Sequence, residues 1–305
     1  MKPRVIAIVG PTCTGKTALS LRIAEQLPAE VVACDSRTVY RRFDIGTAKP
    51  SKSEQAQVPH HLLDVAEPDE VYTVAQYRAQ AGEAIRSIAA RGKLPLVVGG
   101  TGFYARALLE GLVIPQVAPQ PELRAQLNQF AEAEGNDALH RRLKELDPVT
   151  AERLSINDRF RVIRALEVTL TAGAPFSTLT RREDPPYDTT WIGLTVTDRA
   201  KLGDAIETRF QQQLADGLTA EVQSLYDQYG ANQSVMNTVN YKEMVEHIEG
   251  KISLEEAISL CTLHNRQLAR RQLIWFRANS LIRWFAVDEQ SPADLASSVL
   301  HHIGA

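Results

Sequence analysis

The sequence predicts an α/β protein with a parallel sheet and a helical subdomain set into it. Three observations carry this prediction. A phosphate-loop octapeptide lies between a short apolar run and a helical pattern. Further apolar runs of strand length alternate with helical patterns. Two proline-punctuated links enclose a stretch that is helical in pattern throughout.

The first strand is Arg4–Val9. It runs into Gly10-Pro11-Thr12-Cys13-Thr14-Gly15-Lys16-Thr17, a complete G-x-x-x-x-G-K-[ST] pattern, and Thr17–Leu27 reads as the helix that should follow. Such a loop binds phosphate for physical reasons. Its glycines let the backbone approach, and its N–H groups and the helix N-terminus offer fixed positive charge. Lys16 adds a full charge, and the Thr17 hydroxyl suits a magnesium ion. The bland alternative is a glycine-rich turn that carries no ligand. The expected core is therefore a P-loop NTPase-like sheet.

A second strand, Glu30–Cys34, delivers Asp35 to the carboxyl edge of the sheet, where open α/β folds bind ligands. Asp35 is a candidate base; equally, it holds magnesium through water or caps a turn. After a helix over Val74–Arg91, a third strand, Leu94–Val98, ends in Gly99-Gly100-Thr101-Gly102. Thr101 either donates to a phosphate or belongs to an ordinary glycine turn. The links Val113–Pro121 and Asp184–Tyr187 bracket the insertion. The expected division is residues 1–114 and 186–305 as the catalytic core with C-terminal helices, and 115–185 as the helical insertion. Strands at Trp191–Val196 and Leu281–Ala286 complete the sheet.

A chain of 305 residues that is 44% hydrophobic can bury a full core. No apolar run approaches the roughly 20 residues that span a bilayer, and the N-terminus enters a strand directly, so a cytoplasmic protein without membrane partners is expected. Cys13, Cys34 and Cys261 are too widely spaced for a disulfide framework or a zinc site. The formal charge of −3 lowers the expectation of non-specific nucleic-acid binding. Locally the balance differs: between Lys251 and Phe285, six Lys/Arg face two acids.

The segment Asp44–Pro50, followed by Pro59-His60-His61-Leu62-Leu63-Asp64, fits neither core, helix nor strand by composition and reads as a functional loop. The paired histidines lack a third ligand, so structural hydrogen bonding is expected of them. Arg266, Arg270 and Arg277 fall within about 40° of one another on a helix. With Trp275 and Phe276 nearby, they form either a solvated face or an RNA surface. In the insertion, Arg161 and Arg164 precede Glu167, and pairing of Arg164 with Glu167 is the cheaper explanation of that cluster.

Taken in order, Gly10–Thr17, Asp35-Ser36, Asp44–Pro50, Pro59–Asp64, Gly99–Tyr104, Arg164–Glu167, Asn240-Tyr241-Lys242-Glu243 and Arg271-Gln272 through Trp275–Arg277 resemble the bacterial tRNA dimethylallyltransferases over nearly the whole chain. The resemblance implies transfer of a dimethylallyl group from dimethylallyl diphosphate to N6 of the adenosine at tRNA position 37, with diphosphate released and no ATP consumed. It implies that Gly10–Thr17 and Arg209 grip the diphosphate, with Lys16 and magnesium on Thr17 stabilising the leaving group. Asp35 would be the general base, and Thr101 would line the reaction channel. Contacts to the anticodon stem-loop would come from Asp35, Ser36, Arg37, Thr38 and Thr101, from Arg124, Phe160, Arg161 and Arg164 in the insertion, and from Asn240, Tyr241, Lys242, Arg270, Arg271, Gln272, Trp275 and Arg277. A monomer is expected.

Three positions depart from the family pattern: Thr38 replaces a common glutamine, Asn240 a usual glycine, and Ile274 a usual threonine. Three rival readings share features with this one. A small-molecule kinase would use the same loop with Asp35 but leaves Asp44–Asp64 unexplained. A prenyltransferase acting on free adenine nucleotides needs no extended basic surface, and a non-catalytic RNA-binding protein needs no Lys16, Thr17 and Asp35.

Overall fold

The computed structural model describes residues 2–231 and 235–304. The chain divides into two compact units, Met1–Leu109 with Pro186–Ala305, and Glu110–Pro185.

In the first unit the order is β1 (Arg4–Val9), α1 (Lys16–Ala24), β2 (Ala29–Ala33), α2 (Lys52–Gln57), β3 (His60–His61), α3 (Val74–Ala90), β4 (Leu94–Gly99) and α4 (Gly102–Leu109). The second unit contributes α5 (Pro121–Leu146), α6 (Pro148–Arg153), α7 (Arg159–Ala172) and α8 (Phe176–Leu179). The chain then returns to the first unit as β5 (Asp188–Thr195), α9 (Arg199–Ala215), α10 (Leu218–Tyr229), α11 (Tyr241–Ile248), α12 (Leu254–Arg277), β6 (Arg283–Ala286) and α13 (Pro292–Ile303).

The six strands form one parallel sheet in the order β3-β2-β4-β1-β5-β6. Its central strands read as unbroken apolar runs because both faces are covered. Alternation along β1 divides the packing: Val5, Ala7 and Val9 face α3 and α4, while Ile6 and Ile8 face α1 and α13. The expected β1 is reproduced residue for residue, and the other four expected strands are present with ends shifted by at most three residues. The edge strand β3 went unread because His60-His61 carries no apolar signal; it pairs with Val31 and Val32 of β2.

A third cluster joins the loop residues Val39, Tyr40 and Phe43 to α9–α12 through Phe210, Leu218, Tyr241 and Cys261. This packing seats the segment after β2 against the C-terminal helices. In the second unit, Leu127, Leu139, Leu143, Val162 and Leu166 form a separate core. That unit starts at Glu110, ahead of the expected residue 115, and the segments at its two ends pair with each other. Val113 N–H donates to Arg181 O at 2.8 Å, and Glu183 N–H to Gly111 O at 2.9 Å. The helical pattern of α5 breaks at Gly135, whose φ of 85° belongs to the left-handed side. Among the described residues no helix is long and apolar enough to cross a membrane.

A phosphate-loop cavity as candidate active site

The phosphate loop turns sharply between β1 and α1. Gly10 has φ +142°, and a Cβ there would lie 2.4 Å from Leu194 O, so only glycine fits beside β5. The loop is braced from within: Thr14 Oγ1 donates to Pro11 O at 2.9 Å, and Lys16 Nζ to the same oxygen at 2.5 Å. Gly15 is left-handed and caps α1 without a side chain, leaving the helix N-terminus open towards a ligand.

Beside this loop lies a cavity of about 360 Å³. Thr12, Cys13, Gly15, Lys16 and Thr17 form one wall; Asp35 and Thr38 come from the segment after β2, and Arg209 from α9. Thr47, Ala48 and Pro50 add the loop that composition left unexplained. Among the described residues neither Lys16 nor Arg209 forms an ion pair. Burial, with the nearby Arg209 guanidinium, lowers the Lys16 ammonium to about 8, against the opposing pull of Asp35 and Cys13. A cavity that holds two cations without a carboxylate on either is built for an anion.

Asp35 sits at the mouth of β2. Its Oδ1 accepts from Arg37 N–H at 2.8 Å and Thr38 N–H at 3.4 Å, so the carboxylate caps a turn as well as lining the cavity. Thr101, at the end of β4, is fixed to the same turn: its Oγ1 accepts from Ser36 N–H at 3.0 Å, and its N–H donates to Cys34 O at 3.2 Å. Gly99 permits this closeness, since a Cβ there would lie 2.1 Å from Cys34 O. The hydroxyl of Thr38 is buried without a hydrogen-bond partner, on the cavity wall.

Magnesium is tested by the donor set. Among the described residues no group of three or more His, Cys, Asp or Glu side chains could hold a metal. Thr17 lines the anion cavity beside Lys16. One hydroxyl at a phosphate loop fits an ion that takes most of its oxygens from water and a bound phosphate.

The other expected contacts sort themselves differently. Asn240 and Tyr241 were expected on the RNA, but they are 2% and 0% exposed. Tyr241 packs in the third cluster and gives its hydroxyl to Glu221, while Asn240 holds φ +79° and donates through Nδ2 to Gly46 O at 2.9 Å. A positive φ favours glycine, the residue the family resemblance leads one to expect there, and asparagine is among the side chains that tolerate it. Gln272 turns to the phosphate loop, accepting from Thr12 N–H at 2.8 Å, and lines the cavity. Lys242, Arg270, Arg271 and Arg277 are exposed. Trp275 is exposed, with the Arg106 guanidinium carbon 5.9 Å from its ring centroid, and Ile274 is exposed.

Within the second unit, Arg124 grips Glu167 with Nε at 2.7 Å and Nη2 at 2.9 Å, and Arg164 approaches at 2.5 Å. Burial pushes the Glu167 carboxyl up, but these bonds outweigh it and hold it below the usual range. Both arginines therefore have a structural task, as the local reading of Arg164 anticipated. Phe160, 76% exposed, and Arg161 remain on the surface. His61 Nε2 lies 2.7 Å from Glu30; His60 Nδ1 lies 2.7 Å from Val58 O, but its ring also lines the cavity and its Nε2 is buried without a partner. The three cysteines are free.

Fold and site together define a phosphate-loop α/β protein whose anion cradle shares its cavity with a carboxylate. The comparisons narrow this class. A family profile described as IPP transferase matches residues 38–279, and one described as isopentenyl transferase matches residues 3–68. The chain is 46% identical over 288 residues to the tRNA dimethylallyltransferase of Cyanothece sp., covering 94% of each. It is 46% identical over 290 residues to that of Desulforudis audaxviator, covering 94% of this chain and 93% of the relative. Among solved structures, the tRNA isopentenylpyrophosphate transferase of Bacillus halodurans superposes with a TM-score of 0.76 at 36% identity, covering 99% of this chain and 96% of that one. A eukaryotic dimethylallyltransferase acting on tRNA superposes with a TM-score of 0.80 at 25% identity, covering 97% and 77%. The chain belongs to the IPP transferase family.

Proposed function

We propose that this chain transfers the dimethylallyl group of dimethylallyl diphosphate to N6 of adenosine 37 in the tRNA anticodon loop, releasing diphosphate. The observation that carries the reading is the pairing of two unneutralised cations, Lys16 and Arg209, with the Asp35 carboxylate on one cavity. The names of the relatives supply the acceptor class.

In this reaction the bond from the allylic carbon to the diphosphate oxygen breaks as the bond from N6 to that carbon forms. Lys16, Arg209 and the loop N–H groups take the charge that develops on the departing oxygen. N6 becomes acidic as it is alkylated, so Asp35 accepts its proton late. Thr17 would hold the magnesium ion, which supplies further positive charge to the diphosphate. Thr101 fixes the turn that carries Asp35. The base must leave its stack to enter the cavity, which a loop allows more cheaply than a duplex. Exposed Phe160 and Arg161 in the insertion, and Lys242, Arg270, Arg271, Trp275 and Arg277 in the core, offer the aromatic and cationic groups that single-stranded RNA uses. The enzyme works as a cytoplasmic monomer.

The test is incubation of the purified protein with magnesium, dimethylallyl diphosphate and an unmodified anticodon stem-loop. Incorporation at adenosine 37 without ATP is the expected result. Incorporation that requires ATP, or ATP consumption in step with product, contradicts the reading.

A further inference from the structure

The cavity wall formed by Thr47, Ala48 and Pro50 belongs to a segment without regular secondary structure, and it is anchored from outside the cavity. The principal anchor is Glu221 on α10, alongside Gln213, whose Nε2 donates to Ile45 O, and Lys49, whose Nζ meets Asp44 and Asp64 at 2.6 Å each. Glu221 Oε2 accepts from Asp44 N–H at 3.1 Å and Ile45 N–H at 2.8 Å; its Oε1 accepts from Gly46 N–H at 3.1 Å and from the Tyr241 hydroxyl at 2.7 Å. Gly46 is pressed against Tyr241, where a Cβ would lie 2.5 Å from the ring, and its carbonyl takes the amide of Asn240. Glu221 itself does not line the cavity.

We propose that Glu221 is a positioning residue for donor binding, its carboxylate holding the Asp44–Gly46 backbone so that Thr47, Ala48 and Pro50 close the wall opposite the phosphate loop. The inference rests on the reading of this cavity as the diphosphate site. The chemistry asks for a carboxylate. Four donors converge on two oxygens, and only an acceptor-only group satisfies them all. Glutamine has the same shape but must turn an NH₂ towards at least one N–H donor, which pushes the loop away instead of holding it. Displacement of a substrate-positioning wall by about 1 Å can cost up to 10²-fold.

The test combines calorimetry with inorganic diphosphate and magnesium, steady-state kinetics, and stem-loop affinity. In Glu221→Gln the Kd for diphosphate and the KM for the prenyl donor should rise on the order of 10- to 100-fold, with kcat at saturating donor changing far less and stem-loop affinity unchanged. Tyr241→Phe keeps the ring against Gly46 and removes one of the four donors. It should move the same two constants in the same direction by less, and it reads out the proposal if Glu221→Gln does not fold. Wild-type protein that fails to bind diphosphate overturns the donor-site reading and the proposal with it. Wild-type binding that the variants leave unchanged, or a loss confined to kcat or to stem-loop affinity, overturns the proposal alone.

Discussion

Lys16 and Asp35 divide the work of the cavity between charge and proton transfer, and each role has its own signature. Burial and then the Arg209 guanidinium disfavour the charge of Lys16 and lower it from 10.5 to about 8. A bound diphosphate restores the charge. Well below pH 8 the ammonium is protonated with and without ligand, so Lys16 adds no pH dependence of its own there. As pH rises through the lowered value, binding must take up a proton, and affinity should fall by up to about tenfold per unit. Calorimetry at about pH 9 in buffers of different ionisation enthalpy should register that uptake; its absence contradicts the assignment. Lys16→Ala should lower turnover by about 10²–10³. Asp35 also caps a turn through Arg37 N–H, so Asp35→Asn is the informative change. Asparagine keeps the cap and loses the base. Transfer should drop by about 10²–10⁴ while diphosphate and stem-loop affinities hold; parallel loss of binding would make Asp35 a structural residue only.

At the scale of elements, β2 carries a charge cluster that the apolar pattern hides. Glu30 is buried, yet it meets Arg91 Nη2 at 2.6 Å, Lys93 Nζ at 2.8 Å and His61 on β3. Burial pushes its carboxyl up, but the bonds from Lys93, His61 and Arg91 outweigh burial and hold it at about 2, against an ordinary 4.5. The folded-state value is depressed, so its stabilisation is complete above pH 4.5 and is lost as pH falls towards 2. Glu30→Gln should cost on the order of 3 kcal/mol at pH 7 and should flatten the acid limb of the stability curve in urea titrations. An unchanged limb places the acid sensitivity elsewhere. Much of the scaffold was legible, because β1, β4 and α3 carry periodicities set by burial alone. What local pattern hides was not. β3 exists through pairing with β2, and Gln272 reaches Thr12 across 260 positions of sequence. Asn240 looks like a surface residue until its positive φ and its bond to Gly46 are seen. The phosphate loop and Asp35 were readable because a strand end and a helix start fix them locally. Glu221 was not, since its three backbone partners lie 175 to 177 positions away.

For the whole molecule, the acceptor is a matter of local charge on a slightly acidic chain. The formal charge is −3, while Arg270, Arg271 and Arg277 stand exposed on and near one stripe of α12, and Phe160 and Arg161 on α7. Arg270→Ala should weaken stem-loop binding and reduce its salt slope by about 1, leaving the donor KM unchanged; an unchanged slope removes Arg270 from the RNA surface. A free nucleotide would have no use for that surface, and the choice between the two acceptors decides the account. The direct measurement supplies an anticodon stem-loop with adenosine 37 and free AMP at equal concentration, with dimethylallyl diphosphate and magnesium, and follows which one gains the prenyl group. The stem-loop should be modified almost to the exclusion of AMP; preferential prenylation of AMP would overturn the assignment of a tRNA acceptor.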